Sequence, residues 1–600
     1  MTTAEQTAVI PPRIAPARAW LRALELTAPI PNNPHRILFT VAEEMAERWG
    51  DAPALLSDRE SLSFRGLARR ANLYARWALE NGLGKGDVVA LLMTNRPEYF
   101  AVWLGITSVG AVVSLLNTNL SGPSLAHCMR IVEPRHVIVS TEFVSALQDV
   151  LPHLDSKPTA WAHGVSEAPF PRIDAEIERY SHEPLGKNDR PAPAINDLAL
   201  YIYTSGTTGM PKAAKVTHGR TMQWSHWFAG MMDVQPQDRM YNCLPMYHSV
   251  GGVQVMGAML AGGGSVVLRE KFSARQFWSD VVRWDCTLIE YIGELCRYLV
   301  HSEPSSFDTA HRVRLACGNG MSPEIWDAFK SRFQIPQILE FYAATEGNVS
   351  LFNVQGKSGA IGHIPPYLAH RFAPALIAID VETGEPVRNA HGFCARCAPN
   401  QPGEALGKIQ LDPANVGTRF DGYTSRTASL DKILHNVFES GDAWFRTGDL
   451  MRRDEKGYFY FVDRLGDTFR RKGENVATLE VAEALCACPG VLHANVFGVA
   501  VPGVEGRVGM ASIQCADSLD LAALRAQLAK SLPHYARPVF LRIRQEVELT
   551  GTLKYSKTQL VREGYDPAIS KDALYFDDGD RYLPLDKPLH QRIQRGEFRL

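Results

Sequence analysis

The pattern of apolar and polar positions between residues 41 and 464 alternates helical stretches with short apolar runs. The short runs are rich in β-branched side chains, which is typical of buried strands in a parallel sheet. The predicted strands are residues 88–93, 111–116, 136–140, 198–203, 265–268 and 288–292. This alternation predicts an α/β fold of layered subdomains rather than separate blocks of helices and strands.

The pattern changes after Gly466 to that of a compact α+β unit. The elements predicted there are a helix at 479–485, strands near 493–501 and 510–515, and a helix from Leu521 that ends before Pro533. The expected organisation is a lead-in at 1–40, a large α/β domain at 41–465 and a small mobile α+β domain at 466–600. The proline-rich residues 153–195 are interpreted as a surface connection.

Residues 99–116 carry no charge and approach the ~18–20 residues that a membrane span needs. Their rhythm changes at Gly110 from a helical to a β-branched pattern, so we interpret them as a buried helix that ends at a glycine, followed by a buried strand. Glu5 and several prolines stand where a signal peptide needs an apolar core. We expect a cytoplasmic chain that crosses no bilayer, with peripheral contact to the inner membrane face left open.

Composition narrows the class of protein. Lys and Arg number 63 and Asp and Glu 65, and the net charge of -2 gives no global reason to bind nucleic acid. The dispersed cysteines fit a reducing compartment rather than a disulfide scaffold. Cys394 and Cys397 have C-x-x-C spacing, but no second pair completes a zinc pattern, so packing is favoured over metal binding there. These features favour a large multidomain enzyme.

The strongest chemical motif is Y-I-Y-T-S-G-T-T-G-M-P-K at residues 201–212. A predicted strand leads into a loop whose glycines let the backbone approach a ligand and whose N–H groups and lysine can surround a phosphate. The candidate phosphate-binding residues are Thr204, Ser205, Gly206, Thr207, Thr208, Gly209 and Lys212. The loop is not a Walker A motif, because Pro211 stands where that motif has glycine and residues 213–217 have a strand pattern.

Four further motifs follow in order: G-N-G-M at 318–321, F-Y-A-A-T-E at 341–346, R-T-G-D at 446–449 and D-R at 463–464. Together with the hydroxyl-rich loop they resemble the adenylate-forming superfamily of acyl-CoA synthetases. The resemblance implies that Tyr342 stacks on adenine, Thr345 bonds the α-phosphate of ATP and Glu346 holds Mg²⁺, a hard cation that suits a carboxylate and phosphates. It also implies that Gly318, Asn319 and Gly320 lie beside adenine, that Asp449 bonds the ribose and that Arg464 precedes an interdomain hinge.

A narrower resemblance is carried by R-K-G-E-N-V at 471–476 and by E-G-Y-D-P at 563–567. These segments are similar to the fatty-acid-transport-protein and very-long-chain acyl-CoA synthetase branch of the superfamily. Where much of the superfamily has a hinge Asp or Lys, this chain has Gly466, so only the hinge position is carried over. The C-terminal catalytic lysine of the superfamily matches Lys554, in the sequence T-G-T-L-K, in preference to Lys557.

The resemblance implies an AMP-forming ligase that uses ATP, Mg²⁺ and CoA. Residues 244–252 would line the acyl side, with His248 as a gate and Gly251 leaving room for an alkyl chain; a packed histidine and close glycine packing are the alternatives. The large apolar residues of 224–232 are interpreted as core in preference to an acyl tunnel or membrane contact.

The leading interpretation is a long- or very-long-chain fatty acyl-CoA synthetase acting through an acyl-adenylate. The alternatives are a CoA ligase for a bile, sterol side-chain or aromatic acid, a fatty acid uptake protein that acts by trapping, and a nucleotide-binding protein without turnover. Intact Lys212, Glu346, Asp449 and Lys554 argue against the last alternative. The oligomeric state, including a homodimer, is left open.

Overall fold

The computed structural model describes residues 15–598, apart from 165–168, 187–188, 205–209, 373, 381–382, 411–418, 473, 505, 516–518 and 545–556. The chain divides into two compact units. Unit 1 comprises Met1–Ser358 and Ile409–Lys432, and unit 2 comprises Gly359–Lys408 and Ile433–Leu600. The expected boundary at 465 between the large domain and the small mobile domain stays a prediction.

Unit 1 consists of helices and short strands in alternation. Its helices are α1 (Pro16–Thr27), α2 (Leu38–Trp49), α3 (Phe64–Glu80), α4 (Pro97–Ser108), α5 (Gly122–Arg130), α6 (Val144–Val150), α7 (Ile173–Glu176), α8 (His218–Met232), α9 (Val255–Gly262), α10 (Phe277–Arg283), α11 (Gly293–Val300), α12 (Pro323–Arg332) and α13 (Arg426–Leu430). Its strands are β1 (Pro53–Leu56), β2 (Ser61–Ser63), β3 (Val88–Leu92), β4 (Val112–Leu115), β5 (His136–Ser140), β6 (Thr159–His163), β7 (Leu198–Thr204), β8 (Lys212–Thr217), β9 (Arg239–Asn242), β10 (Ser265–Leu268), β11 (Leu288–Ile292), β12 (Leu315–Asn319), β13 (Ile338–Ala343) and β14 (Ser350–Asn353).

Two mainly parallel sheets organise unit 1. One has the strand order β14-β13-β12-β11-β9-β10-β1-β2 and the other has the order β6-β5-β3-β4-β7-β8. Strands β3, β4, β5 and β10 are buried along their whole length, because parallel sheets are covered by helices on both faces. The predicted α/β class is confirmed, and β8 is the predicted strand after the hydroxyl-rich loop, antiparallel to β7.

The uncharged residues 99–116 fold as a buried helix and a buried strand. Every residue of α4 is buried, Gly110 has φ +87°, and β4 then pairs in parallel with β3. Only the glycine conformation turns the chain directly from the helix into the sheet. Among the helices that the structure describes, none combines the length and apolar character of a membrane span.

Helix α1 belongs to the core of unit 1, although the sequence predicted only a lead-in at residues 1–40. Trp20 is 1% exposed, and its ring meets those of Trp227 and Phe352 edge-on, with centroids 5.8 Å apart in both cases. A Cβ on Gly230 of α8 would lie 2.6 Å from the Cα of Ala23, so the two helices touch through backbone. Trp227, Phe228, Met231 and Met232 of α8 are buried here, which supports their interpretation as core, whereas Trp224 is half-buried.

The segment 153–195 departs from the prediction of a plain surface connection. It contains α7 and the strand β6, which pairs in parallel with β5 at the edge of the sheet. Pro158 precedes β6, and further prolines follow it. The many prolines led to the prediction of a loop. A short edge strand can nevertheless form among them, because proline next to an edge strand breaks no ladder hydrogen bond.

Unit 2 contains a β-rich part and an α+β part. Its helices are α14 (Thr478–Cys486), α15 (Leu521–Ser531), α16 (Lys557–Glu563) and α17 (Lys587–Gln594). Its strands are β15 (Gly362–His363), β16 (Ala375–Ile377), β17 (Gly403–Lys408), β18 (Ile433–His435), β19 (Ala443–Arg453), β20 (Tyr458–Arg464), β21 (Phe469–Arg471), β22 (Glu474–Val476), β23 (Val491–Val499), β24 (Val508–Cys515), β25 (Phe540–Arg544), β26 (Ala573–Asp577) and β27 (Tyr582–Pro584).

The sheets of unit 2 have the orders β15-β20-β19-β17-β16, with β18 on β19, and β23-β24-β25-β26-β27, and β21 and β22 form a hairpin. Val481 and Leu485 of α14 and Leu528 of α15 pack with Val496 and Ile513 in one apolar cluster. The predicted helices and strands after Gly466 are thereby confirmed, with the α+β class of this region.

Candidate active site

The candidate site residues of unit 1 stand where strands end. Thr204 is the last residue of β7, Gly318 and Asn319 end β12, and Tyr342 stands at the end of β13. Ligand sites of open α/β sheets form at the carboxyl ends of parallel strands, so the topology gathers these residues at one edge of each sheet. The predicted phosphate-binding residues Ser205, Gly206, Thr207, Thr208 and Gly209 lie outside the described residues, and their role stays a prediction.

A buried arginine supports the turn that carries Thr345. Arg220, in the first turn of α8, donates from its guanidinium to the carbonyl oxygens of Thr345, Gly347 and Arg419, each at 2.9 Å. Its Nε lies 3.5 Å from the carboxylate of Asp421. Burial lowers the pKa of Arg220, and the neighbouring carboxylates oppose that shift. The main chain is therefore fixed on both sides of residue 346.

The side chain of Glu346 is held by a tyrosine that the motifs do not contain. The hydroxyl of Tyr423 donates to Oε1 of Glu346 at 2.7 Å and also hydrogen-bonds with the Thr204 side chain. Nζ of Lys212 lies 5.6 Å from the centroid of the Tyr423 ring, within range of a cation–π contact. Burial and the Glu346 carboxylate raise the pKa of Tyr423 well above its usual range, so the phenol stays a donor.

The predicted adenine-side loop is anchored by a buried carboxyl group. Oε1 of Glu340 accepts from the backbone N–H of Gly320 at 2.5 Å and of Met321 at 3.2 Å, and Oε2 accepts from the Tyr291 hydroxyl at 2.5 Å. Burial raises the pKa of Glu340 to about 8, although all three donors favour its charged form. A Cβ on Gly293 would lie 1.7 Å from the Gly320 carbonyl oxygen, so this loop packs against bare backbone.

The predicted acyl-side segment is tied to the same region of unit 1. Residues 249–254 form a turn of π-helix ahead of α9, a geometry often found at functional sites. The Ser249 hydroxyl lies 3.1 Å from that of Thr345. The ring of His248 packs against Tyr247, whose hydroxyl accepts from Asn119 Nδ2 at 3.0 Å. His248 is half-buried in this contact, and its gating role stays a prediction.

The glycines of the acyl-side segment are places of close packing. A Cβ on Gly251 would lie 2.7 Å from two carbonyl oxygens, and one on Gly252 would lie 2.1 Å from the Met246 carbonyl oxygen. At Gly257 the obstacle is the Ser225 hydroxyl of α8, at 1.8 Å. Of the two interpretations of these glycines, the contacts support close packing. A role of Gly251 in binding the acid stays a prediction.

Unit 2 carries the predicted ribose and hinge residues on two paired strands. Asp449 of β19 stands opposite Arg464 of β20, and Nε of the arginine lies 3.8 Å from the carboxylate. Glu404, which is fully buried, accepts from the guanidinium of Arg446 and from the Gly448 N–H at 3.1 Å. The R-T-G-D motif is thus anchored from its first residue, and Asp449 projects from a fixed strand.

Of the two candidate lysines of unit 2, the structure describes Lys557 but not Lys554. Lys554 lies outside the described residues, so its catalytic role stays a prediction. Nζ of Lys557 lies 3.0 Å from the carboxylate of Asp467 and 3.0 Å from the Thr478 hydroxyl. Asp463 accepts from the Thr478 backbone N–H and lies in the field of the same ammonium group. Lys557 is therefore engaged beside the predicted hinge.

The residues around Glu346 fit a magnesium ion. The Glu346 carboxylate accepts from the Tyr423 hydroxyl, which also hydrogen-bonds with Thr204, so the group offers the hard oxygen donors that Mg²⁺ prefers. Within the described ranges, no group of three or more His, Cys, Asp or Glu side chains is arranged to hold a metal. A magnesium ion bound chiefly through substrate phosphates needs one carboxylate rather than such a group. Cys394 and Cys397 are free thiols and form no disulfide with each other.

Four supporting residues escaped the sequence motifs: Arg220, Glu340, Glu404 and Tyr423. An acidic residue inside an apolar strand pattern is a signal for a buried carboxyl group with partners, and Glu340 and Glu404 both show it. Arg220 is a charge at the start of a mainly apolar helix, a weaker signal of the same kind. Tyr423 shows no local signal.

Comparison with known proteins identifies the family. The family model of the AMP-binding enzyme matches residues 42–405, and that of the AMP-binding enzyme C-terminal domain matches residues 480–554. Long-chain fatty acid transport protein 1 of Mus musculus is 41% identical over 571 residues, 93% of this chain and 88% of that protein. Long-chain fatty acid transport protein 6 of Mus musculus is 40% identical over 557 residues, 91% of this chain and 88% of that protein.

The crystal structure of the anthranilate CoA ligase AuaEII in complex with anthranoyl-AMP has the same fold, with a TM-score of 0.74 at 19% identity, covering 88% of this chain and 96% of that chain. The chain belongs to the AMP-binding enzyme family. Within it, the relatives place the chain in the branch named long-chain fatty acid transport proteins, which confirms the resemblance drawn from the motifs.

Proposed function

We propose that the chain is a long- or very-long-chain fatty acyl-CoA synthetase, which activates a fatty acid with ATP and transfers it to CoA. The observation that supports this most directly is the network in which Tyr423 joins Glu346, Thr204 and Lys212. Such a network suits an ATP phosphate chain with its metal ion. The names of the relatives support a long-chain fatty acid as the substrate.

In the proposed first half-reaction, a carboxylate oxygen of the acid attacks the α-phosphorus of ATP. The new P–O bond forms as the bond to pyrophosphate breaks, and pyrophosphate leaves with its electron pair. Two anions must meet, which requires positive charge and orientation. Lys212 and Lys554 supply charge, while the hydroxyls of Thr204 and Thr345 orient phosphate oxygens. Glu346 would hold the Mg²⁺ ion, which would supply positive charge at the phosphates.

In the proposed second half-reaction, the CoA thiolate sulfur attacks the acyl carbonyl carbon. A thioester forms, the bond from that carbon to the AMP oxygen breaks, and AMP leaves. The nucleotide is oriented throughout by Gly318, Asn319, Gly320 and Tyr342 at adenine and by Asp449 at the ribose, with His248 and Gly251 on the acid side. Arg464 and Gly466 mark the hinge about which a mobile domain rotates between the two half-reactions, so that a different face of this domain meets the site in each.

Two further proposals concern the lysine and the location. Lys554 rather than Lys557 serves adenylation, and the contacts of Lys557 support this choice, because its ammonium group is paired with Asp467 and the Thr478 hydroxyl. A cytoplasmic location, peripheral contact with a membrane and a homodimer are predictions from the sequence that await measurement.

A panel of acids tests the proposed function. The full chain is supplied with ATP, Mg²⁺, CoA and one acid at a time, from C4 to C26 and including bile, sterol side-chain and aromatic acids, and AMP release is measured with and without CoA. We expect the highest kcat/KM with long or very long chains. Highest activity with a sterol or aromatic acid would replace the fatty acid assignment, and absence of acid-dependent AMP release would overturn the ligase.

The names of the relatives favour a second candidate function, fatty acid uptake. In this function, conversion of the acid to its CoA thioester traps it inside the cell. If trapping is the mechanism, Glu346→Ala abolishes acid-dependent pyrophosphate exchange and uptake into cells together. Uptake that persists in this variant would indicate a separate transport activity. Retained pyrophosphate exchange would overturn the magnesium role of Glu346.

A further inference from the structure

The segment around Tyr423 is attached to the strand that begins at Lys212. Lys215 N–H donates to the Gly422 carbonyl at 2.9 Å, and Thr424 N–H donates to the Ala213 carbonyl at 3.1 Å. Tyr423 itself forms an antiparallel bridge with Ala214. Backbone pairing of this kind sets the direction of the Tyr423 side chain, since alternate residues of a strand face opposite sides. The tyrosine is thus fixed beside the strand that follows the phosphate loop.

The Tyr423 side chain is buried, at 3% exposure, and packs with Ala214 and Ala428. From this fixed place its hydroxyl donates to Glu346, which follows β13 of the other sheet, and hydrogen-bonds with Thr204 of β7. One hydroxyl therefore links the candidate metal carboxylate to the start of the phosphate loop. This connection joins the two parallel sheets at the point where their strands end.

The support of Glu346 is divided between two residues. Arg220 bonds the carbonyl groups of Thr345 and Gly347 and so fixes the main chain, but it does not set the torsions of the Glu346 side chain. Those torsions are restrained by the hydrogen bond from Tyr423. A carboxylate that is already oriented binds a cation without first losing rotamer freedom.

We propose that Tyr423 is the positioning residue that orients the Glu346 carboxylate for the magnesium ion of MgATP. It also holds this carboxylate at a fixed position relative to Thr204 and Lys212. This inference rests on the proposed function, because it assumes that Glu346 receives Mg²⁺. Tyr423 acts through Glu346, because its hydroxyl contacts that carboxylate and the Thr204 side chain.

The test is Tyr423→Phe in the full chain, which removes the hydroxyl and keeps the buried ring. ATP binding is measured by calorimetry in excess Mg²⁺ and in EDTA. Because a hydrogen bond to a charged group is lost, we expect the affinity gained from Mg²⁺ to fall about tenfold. Binding of ATP in EDTA should change by less than about twofold, since that state lacks the ion.

A kinetic measurement separates positioning from chemistry. In acid-dependent pyrophosphate exchange, the Mg²⁺ concentration for half-maximal rate should rise about tenfold in Tyr423→Phe, while the rate at saturating Mg²⁺ stays within about threefold of wild type. Tyr74→Phe is the matched control, because Tyr74 is buried and donates to the Glu98 carboxylate at 2.5 Å, a pair outside the candidate site. It should leave the Mg²⁺ dependence unchanged.

The outcomes are distinct. An unchanged Mg²⁺ dependence in Tyr423→Phe, with wild-type exchange intact, overturns the inference and leaves the proposed function standing. Equal effects in Tyr423→Phe and Tyr74→Phe also overturn it, because they show general loss of stability. Absence of Mg²⁺-dependent ATP binding and of exchange in the wild-type chain overturns the proposed function and the inference together.

Discussion

Two regions that carry candidate nucleotide residues are built on different principles. In unit 1, the turn at Thr345–Gly347 rests on Arg220 and Tyr423, each 3% exposed. In unit 2, the Arg464 side chain is 40% exposed and lies 3.8 Å from Asp449, and that of Lys557 is 28% exposed in its pair with Asp467. Buried, fully bonded groups resist movement, whereas exposed ion pairs exchange partners at little cost.

The difference suits the proposed chemistry. A site that orients ATP phosphates and a metal ion gains from groups that are in place before the substrate arrives. Residues beside a hinge must release one set of contacts and take another within each cycle. We therefore infer that unit 1 supplies the fixed frame for adenylation, and that the groups beside Gly466 supply contacts that can be remade.

The largest effect is expected from a substitution in the predicted mobile domain. Lys554→Ala should lower the rate of acid-dependent pyrophosphate exchange by about 100-fold or more, because a charge that stabilises the transition state is lost. Transfer of a supplied acyl-adenylate to CoA should stay within about threefold of wild type, because that step does not use the lysine.

Lys557→Ala is the matched control, since it removes a lysine three positions away that is held by Asp467 and Thr478. It should leave exchange within about threefold of wild type. The reverse result, with exchange lost in Lys557→Ala alone, would transfer the catalytic role to Lys557.

A second prediction tests the fixed side through stability. Arg220→Met leaves three carbonyl groups and the Asp421 carboxylate without their donor, so we expect local destabilisation of about 2–4 kcal/mol. Arg464→Met removes an exposed, loosely paired charge and should cost less than about 1 kcal/mol. Hydrogen exchange of peptides that span residues 340–350 and 445–465 measures both. Similar values for the two variants would erase the distinction between the regions.

A third and smaller effect concerns the pH dependence of stability. The pKa of Glu340 is about 8 in the folded chain and near 4.5 when exposed, so the folded chain keeps a proton that the unfolded chain loses between these values. Glu340 therefore makes the free energy of unfolding fall as pH rises from about 4.5 to about 8. Glu340→Gln should remove a slope of at most about 1.4 kcal/mol per pH unit.

Urea unfolding at several pH values between 5 and 8 measures this slope. Burial also raises the pKa of Glu290, which neighbours Glu340, so part of the wild-type slope should remain in the variant. Glu324→Gln, at an exposed position of α12, is the control and should keep the full slope. An unchanged slope in Glu340→Gln would show that the carboxyl group is charged in the folded chain.

The sequence predicted much of the fold because the relevant signals are local. Apolar runs such as 136–140, 265–268 and 288–292 coincide with β5, β10 and β11, since burial on both faces of a parallel sheet makes a strand apolar throughout. The strand β6 was missed because edge strands are short and tolerate proline nearby. Helix α1 was taken as lead-in, although its buried residues Ala19, Trp20, Ala23 and Thr27 recur at helical spacing.

The sequence by itself determined the α/β class, the order of the motifs and the residue types that suit ATP, Mg²⁺ and an acyl-adenylate. Only the tertiary structure decided which other residues hold the candidate site residues in place. Arg220 reaches Thr345 across 125 positions of the chain, and Tyr423 reaches Glu346 across 77. Such contacts depend on strand order and on the pairing of residues 422–424 with β8, which local periodicity does not encode.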